Sequence, residues 1–227
     1  MRGQQLPLPV QLRDSASFDS FFSGPNDNAV AALRELSGAV FISGAPGSGR
    51  THLLQAVART RRCPYLPLAD LQAFGAEALA GLEQAPALCL DDIHSVTPDR
   101  DWSLALLRLL DARRVHNLAT AMSADAAPER MNCALPDLRT RLSASAVFGL
   151  HPLSDADREK LLRERANARG LELAPEVSRW LLRQLARDTG SLLAALEQLD
   201  RASLSAKRRL TLPFVQSVLV PGTAQTG

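Results

Sequence analysis

The feature that most constrains this chain is a glycine-rich segment with the sequence Gly44-Ala45-Pro46-Gly47-Ser48-Gly49-Arg50-Thr51. An apolar run, Ala39–Ser43, comes directly before it, and Arg50–Arg61, with apolar residues at helix spacing, follows. Glycines let a backbone curl tightly after a strand, and the first amides of a helix then point at one spot. A glycine-rich turn between a buried strand and a helix predicts a phosphate-binding loop (P-loop) in an α/β fold.

Apolar runs of strand length recur through the first two thirds of the chain. We predict strands at Ala39–Ser43, Pro64–Leu68, Ala87–Asp91, Leu118–Met122 and Ala146–Leu150. Helical patterns occur between or before them, at Asp27–Leu36, Arg50–Arg61 and Trp102–Arg113. Buried strands that alternate with helices are typical of a parallel sheet covered on both faces. The 46% apolar content is sufficient for such a core.

After His151-Pro152 only helical patterns remain. Ser154 and Asp157 have the spacing of a capping box, and the helix they open is predicted to stop at Gly170. Further helices are predicted at Val177–Arg187, Leu192–Ala202 and Phe214–Val220. We therefore predict four parts: an extended tail at 1–16, a nucleotide-binding α/β domain at 17–151, a small all-helical domain at 152–220 and a loose tail at 221–227.

The glycine-rich segment predicts how a nucleotide would be held. Backbone amides around Gly44, Gly47, Ser48 and Gly49 would surround the phosphates, Arg50 would reach the β-phosphate, and the Thr51 hydroxyl would bind Mg²⁺. Most P-loops have Lys where this chain has Arg50. Because the guanidinium is a wider planar fork, it should attract phosphate but place its charge poorly for γ-phosphate cleavage. A glycine-rich turn without a ligand is the alternative.

A second predicted element of the site is the apolar strand that ends in Asp91 and Asp92, the form of a Walker B segment. Asp91 would hold Mg²⁺ directly or through water. Asp92 stands where many ATPases have a Glu that activates water, and its shorter side chain should reach that water poorly. Ser123, expected just after the fourth strand, is a candidate sensor of the γ-phosphate. An ordinary acidic turn and an ordinary surface serine are the alternatives.

Two arginines, Arg139 and Arg141, lie in the segment Leu135–Leu142. An arginine here could cross a subunit interface and neutralise charge on a neighbour's nucleotide, as an arginine finger does. A solvated helix face explains the same residues equally well.

Composition excludes some functions. The chain has 26 Lys and Arg against 24 Asp and Glu, a net charge of +2, so strong autonomous DNA binding is not expected. The 3 cysteines show neither metal-ligand spacing nor a disulfide framework, which indicates a reducing compartment. No signal peptide or membrane-spanning stretch is recognised. We expect a cytoplasmic protein that does not bind membranes.

The order of these segments resembles the AAA+ superfamily, and within it the DnaA-related group that includes the replication initiator DnaA and the shorter Hda proteins. The stretches that carry the resemblance are Gly47–Leu54, Leu135–Leu142, His151–Asp155 and Gln198–Ser203. The resemblance covers nearly the whole chain. Arg50 is itself a similarity, since the Hda group tends to have Arg at this place.

The resemblance implies a negative regulator of bacterial replication initiation that acts at the replisome. Hda-like proteins hold ADP or ATP with Mg²⁺, ADP being the form associated with activity, and bind the DNA-loaded β sliding clamp. They then stimulate hydrolysis of the ATP on DnaA. Arg141 matches the family's finger position and would act in trans, whereas the chain's own ATPase activity would be weak or absent.

Both ends of the sequence bear on this comparison. Gln5, Leu6 and Leu8 lie in a segment similar to the peptide with which Hda docks onto the clamp, and no DNA-reading helix-turn-helix follows the helical domain. Where the family has a sensor arginine in the helical domain, this chain has Gly190, and Arg187 is the nearby substitute.

Two other functions remain open: an active AAA+ ATPase, such as a helicase loader or clamp-loader-like motor, and a scaffold that binds no nucleotide. Self-association into a homo-oligomer is also open.

Overall fold

The computed structural model of the chain describes residues 16–185, 189–206 and 208–220. Contacts divide these residues into two compact units. The sheet unit contains the residues up to Ala45 and Gly49–His151, and the helical lid unit contains the residues from Pro152 onward together with Pro46–Ser48.

The sheet unit is built on a five-stranded sheet in the order β2-β3-β4-β1-β5. The strands are β1 (Ala39–Ser43), β2 (Tyr65–Pro67), β3 (Ala87–Asp91), β4 (Ala119–Ala124) and β5 (Ala146–Gly149). All neighbouring pairs are parallel. The predicted α/β core with a five-stranded parallel sheet is therefore confirmed.

Helices cover both faces of this sheet, as continuous apolar strands require. They are α1 (Asp27–Glu35), α2 (Arg50–Arg61), the short α3 (Leu68–Leu71), α4 (Arg100–Val115) and α5 (Pro136–Ser143). Side chains alternate along each strand. On β1, Val40 and Ile42 therefore pack with the core beneath α1 and α2, while Phe41 packs with the core beneath α4 and α5.

One cation lies inside the sheet unit. Arg113 is 1% exposed and donates to the carbonyls of Leu82, Ala85 and Ala119 at 2.7–2.8 Å, and its Nε donates to Thr120 Oγ1 at 2.9 Å. These bonds tie the end of α4 to the start of β4 and to the loop that precedes β3. A charge buried this deeply is tolerated because its donors are satisfied.

The lid unit contains α6 (Asp155–Asn167), α7 (Pro175–Gln184), α8 (Thr189–Ala206) and α9 (Leu212–Leu219). The predicted capping box is present, since Ser154 Oγ accepts from Asp157 N at 3.1 Å and Ser154 N donates to Asp157 Oδ2 at 3.2 Å. Its own apolar core unites all four helices and includes Leu162, Val177, Leu181, Leu196, Leu199 and Val215. The helical lid is thus confirmed as part of the fold.

No helix in the described part of the chain combines the length and the apolar character needed to cross a membrane.

Candidate nucleotide site

The glycine-rich loop joins the carboxyl end of β1 to the first turn of α2. Its start is fixed by Gly44 N, which donates to Ala124 O of β4 at 3.3 Å. Gly47 and Gly49 have φ angles of +80° and +94°, a region that side-chain-bearing residues avoid. Gly49 also precedes α2, and its carbonyl accepts from Leu53 N at 3.0 Å. The loop therefore curls back toward the amino end of α2, as predicted.

Two polar atoms of the loop are buried without a hydrogen-bond partner. They are Ser48 Oγ and Arg50 Nη1. Buried polar groups are nearly always satisfied, and an orphan calls for an explanation such as an absent ion or ligand. A phosphate oxygen is an acceptor that both groups could use. This observation fits a nucleotide phosphate in the loop, and Thr51 lies in the first turn of α2 beside it.

Arg50 pairs with the second Walker B carboxylate. Its Nη2 lies 3.1 Å from Asp92 Oδ1, and the two side chains are 10% and 32% exposed. Asp92 directly follows β3 and has a φ of +53°, in the left-handed region. The pairing neutralises the loop's cation and occupies the carboxylate that was predicted as a weak base.

Asp91 is buried at the end of β3, and both of its oxygens are engaged. Tyr65 OH donates to Oδ2 at 2.6 Å, and the Ser123 hydroxyl donates to Oδ1. Burial first, and then the negative charge of Asp91, raise the pKa of Tyr65, so the phenol stays protonated as a donor. Each carboxylate oxygen keeps a second lone pair for a metal-bound water.

Ser123 lies inside β4, not after it as predicted, because β4 continues to Ala124. The side chain is fully buried, and its Oγ accepts from Asp92 N at 3.0 Å. Ser123 therefore bridges both Walker B residues. Its role as a contact of the nucleotide stays a prediction.

Metal binding here would rely on few protein ligands. Among the described residues, no three His, Cys, Asp or Glu side chains come together as a metal site. Mg²⁺ commonly uses one or two protein oxygens plus phosphate oxygens and water. Thr51 and Asp91 suit that kind of site and would need the nucleotide to complete it.

The pKa of Asp92 is raised, chiefly by burial and then by the charge of Asp91. Arg50 and His94 act in the opposite direction, and Asp125 adds to the rise. His94 Nδ1 lies 3.9 Å from Asp92 Oδ1 and accepts from Asp125 N at 3.3 Å. The second Walker B carboxylate thus lies among several charged groups.

The segment before α1 covers the P-loop. The sequence analysis did not predict this contact. A Cβ atom built on Gly49 would lie 2.5 Å from Phe21 Cε2, so the aromatic ring contacts the loop backbone. The Phe21 and His52 rings lie 5.6 Å apart, and His52 Nε2 is 2.9 Å from Ser17 O and 3.1 Å from Ser20 Oγ. The adjacent Phe21 and Phe22 were a usable signal in a chain with 4% aromatic residues.

Asn26 makes two further hydrogen bonds that the sequence did not predict. Its Nδ2 donates to His151 O at 3.0 Å, and its Oδ1 accepts from His151 N at 2.8 Å. The paired bonds fasten the chain before α1 to the last residue of the sheet unit.

The two finger candidates differ in their surroundings. Arg139 is exposed on α5. Arg141 is paired, since its Nε lies 2.5 Å from Asp111 Oδ1 of α4, with side chains 25% and 45% exposed. Gly190 lies exposed in α8 of the lid. Gln5, Leu6, Leu8 and Arg187 lie outside the described residues.

Comparison with known proteins agrees with this fold. Residues 155–219 match the family model for the Hda lid domain. Domain III of the Thermotoga maritima replication initiation protein DnaA superposes with a TM-score of 0.75 at 19% identity, covering 92% of this chain and 98% of that one.

Two further structures are similar. DnaA from Aquifex aeolicus bound to AMPPCP gives a TM-score of 0.67 at 19% identity, with 86% and 69% of the two chains covered. The Thermotoga maritima RuvB Holliday junction branch migration motor gives 0.63 at 15% identity, with 92% and 72% covered.

The parallel sheet, the P-loop with its paired Walker B carboxylates, and the helical lid define a AAA+ P-loop protein. Its fold is similar to that of DnaA domain III, and residues 155–219 match the Hda lid domain family. The resemblance seen in the sequence is thereby confirmed.

Proposed function

We propose that this chain is a nucleotide-bound negative regulator of replication initiation. It holds ADP, associates with the DNA-loaded β sliding clamp, and stimulates hydrolysis of the ATP on DnaA. The lid match to Hda is the observation that carries this proposal, because it separates the chain from other proteins of the same fold.

The loop supports nucleotide binding. Gly44, Gly47 and Gly49 shape it, and the orphaned Ser48 Oγ and Arg50 Nη1 call for an acceptor such as phosphate. Thr51 and Asp91 would hold the Mg²⁺ ion, which neutralises phosphate charge when bound. A DnaA-related neighbour was solved with AMPPCP, a nucleotide analogue.

The arrangement around Asp92 favours a regulator over a motor. A general base must be ionised and free to reach a water molecule. Asp92 is instead paired with Arg50 at 3.1 Å, so its carboxylate is not free to reach a water molecule. We therefore expect the purified chain to hydrolyse ATP slowly, and we assign the chemistry to the ATP on DnaA.

Arg141 is the proposed finger in trans. In phosphoryl transfer, a guanidinium that reaches the γ-phosphate stabilises the charge of the transition state, an effect of about 10³–10⁵ in rate. The Arg141 side chain is 25% exposed, so part of it is accessible from outside the chain. Gln5, Leu6 and Leu8 are the proposed contacts with the clamp.

A reconstituted assay tests the proposal. DnaA-ATP, the clamp loaded on DNA and the ADP-loaded chain are mixed, and the conversion of DnaA-bound ATP to ADP is followed. We expect stimulation by the chain, and loss of nearly all of it with Arg141→Ala, while ADP binding and clamp binding persist. Arg139→Ala, a neighbouring exposed arginine on the same helix, is the matched control.

The outcomes separate the alternatives. No stimulation by the unaltered chain would overturn the regulatory function, and loss with Arg139→Ala alone would move the finger to Arg139. Rapid ATP turnover by the chain alone would identify an ATPase motor. Absence of ADP and ATP binding by calorimetry would identify a nucleotide-free scaffold.

A further inference from the structure

Arg141 makes an ion pair that the sequence did not predict. The partner is Asp111, on a helix separated from α5 by β4 in sequence. The two helices contact each other, and Leu110 of α4 and Leu142 of α5 belong to one apolar core. Asp111 and Arg141 are the sequence neighbours of these leucines, so the pair lies beside the packed interface of the two helices.

The pair engages one edge of the guanidinium. An arginine has five N–H donors, one on Nε and two on each terminal nitrogen. Asp111 Oδ1 lies 2.5 Å from Nε, and the two buried atoms form an ion pair whose angle is outside that of a hydrogen bond. Within the described part of the chain, the terminal nitrogens of Arg141 make no ion pair or hydrogen bond. The planar fork formed by Nη1 and Nη2 is therefore available to another acceptor.

Without Asp111, the partly buried charge of Arg141 would destabilise the folded chain, and the Arg141 side chain would be mobile. Arg141 is only 25% exposed, and a partly buried charge needs a counter-charge. A long side chain also loses conformational freedom when it is fixed at a target, and this loss is smaller if the side chain is already oriented. A carboxylate on a neighbouring helix supplies the counter-charge and also keeps the arginine side chain oriented.

We propose that Asp111 is the positioning residue for Arg141, holding the Nε edge so that the two terminal nitrogens face a phosphoryl group on another subunit's nucleotide. This inference rests on the proposed function, in which Arg141 acts in trans. Asp111 does not touch the nucleotide. It acts through Arg141 alone.

The test uses the full chain in the same DnaA-ATP assay, titrated over a range of concentrations. Asp111→Asn keeps the size of the side chain and removes its charge. We expect the maximal stimulated rate to fall between about tenfold and about a hundredfold, as a misplaced catalytic group causes. The concentration that gives half-maximal stimulation should stay the same, because docking does not involve Asp111.

Two further variants make the test specific. Asp111→Glu keeps the charge and should recover a large part of the rate. Asp101→Asn removes an exposed carboxylate from the same helix and should change nothing. Thermal unfolding and ADP binding of each variant are measured in parallel.

Full stimulation by a folded Asp111→Asn variant would overturn the inference. So would a change confined to half-maximal concentration or ADP binding, or an equal loss in Asp111→Glu and Asp111→Asn. A failure of the proposed function looks different, because the unaltered chain would then give no stimulation or Arg141→Ala would keep it.

Discussion

Gly49 is the residue at which backbone conformation and packing restrict the sequence most. Its φ is +94°, and an added Cβ would lie 2.5 Å from Phe21 Cε2. We predict that Gly49→Ala lowers the free energy of unfolding by about 1–3 kcal/mol and weakens ADP binding. Thermal unfolding and calorimetric titration with ADP measure the two effects.

A matched glycine separates backbone strain from the ring contact. Gly81 has a φ of +84° and nothing within 4 Å of an added Cβ. Gly81→Ala should therefore lose stability from strain alone, by less than Gly49→Ala. Equal losses in both variants would show that the contact between Phe21 and the loop does not matter.

Asp92 gives a prediction about pH. Burial and Asp91 raise its pKa above the ordinary value of 3.8, so the folded chain binds this proton more tightly than the unfolded chain does. Stability that depends on Asp92 should then decrease as pH rises from about 3.8 through the raised folded pKa. Asp92→Asn cannot ionise and escapes this decrease.

The expected result is a difference in melting temperature, variant minus unaltered chain, that increases from about pH 3 to about pH 7. Asp70→Asn, at an exposed residue, should show no such increase. A difference that decreases with pH would mean that the pair with Arg50 outweighs burial at Asp92.

The sequence predicted that the residues of the candidate site lie close together, but it did not predict their side-chain partners. The spacing of Gly44–Thr51 and the acidic end of the third strand place these residues on adjacent loops because parallel strands share a carboxyl edge. The pairs Arg50–Asp92 and Tyr65–Asp91 join residues far apart in sequence. Their formation depends on side-chain direction, including the φ of +53° at Asp92, which no local pattern specifies.

At the scale of elements, Arg113 joins one helix to the sheet through neutral acceptors. Its loss would leave the carbonyls of Leu82, Ala85 and Ala119 without these donors. We predict that Arg113→Met lowers the free energy of unfolding by about 3 kcal/mol or more, since buried acceptors would be left unsatisfied. Chemical denaturation measures this loss.

The adjacent Arg114 is exposed and provides the control. Arg114→Met should change stability by no more than about 0.5 kcal/mol, as is usual for a surface substitution. A similar small effect at Arg113 would show that water or neighbouring groups replace its bonds.

Element ends were predicted well where a local signal exists. β1, β3 and α2 have the predicted bounds because strong apolar periodicity and the P-loop turn mark them. α4 begins two residues earlier than predicted, at Arg100, since the Asp99 side chain accepts from the backbone amides of Asp101 and Trp102. β4 extends to Ala124 because Ser123 and Ala124 pair with β1, a property of the neighbouring strand.

At the scale of the whole molecule, the order of the motifs along the sequence predicted both the α/β fold and the helical lid. In a AAA+ chain the P-loop, the Walker B strand and the helical lid follow one another in this order. Partner recognition does not follow in the same way. The proposed clamp contacts lie at 5–8, whereas the residues that we assign to the nucleotide lie at 44–51, 91 and 123. Clamp binding and nucleotide binding should therefore be separable.

We predict that the combined change Gln5→Ala, Leu6→Ala and Leu8→Ala weakens clamp binding at least about tenfold, because a few apolar anchors carry most of the affinity of a short peptide. ADP affinity should stay the same. Gln4→Ala with Leu12→Ala changes the same residue types in the same segment and should leave clamp binding intact. Binding is measured with immobilised clamp.

If the triple variant binds as tightly as the unaltered chain, the clamp contact lies elsewhere. If the control pair loses binding equally, the segment acts through its general apolar character and the specific roles of Gln5, Leu6 and Leu8 are wrong.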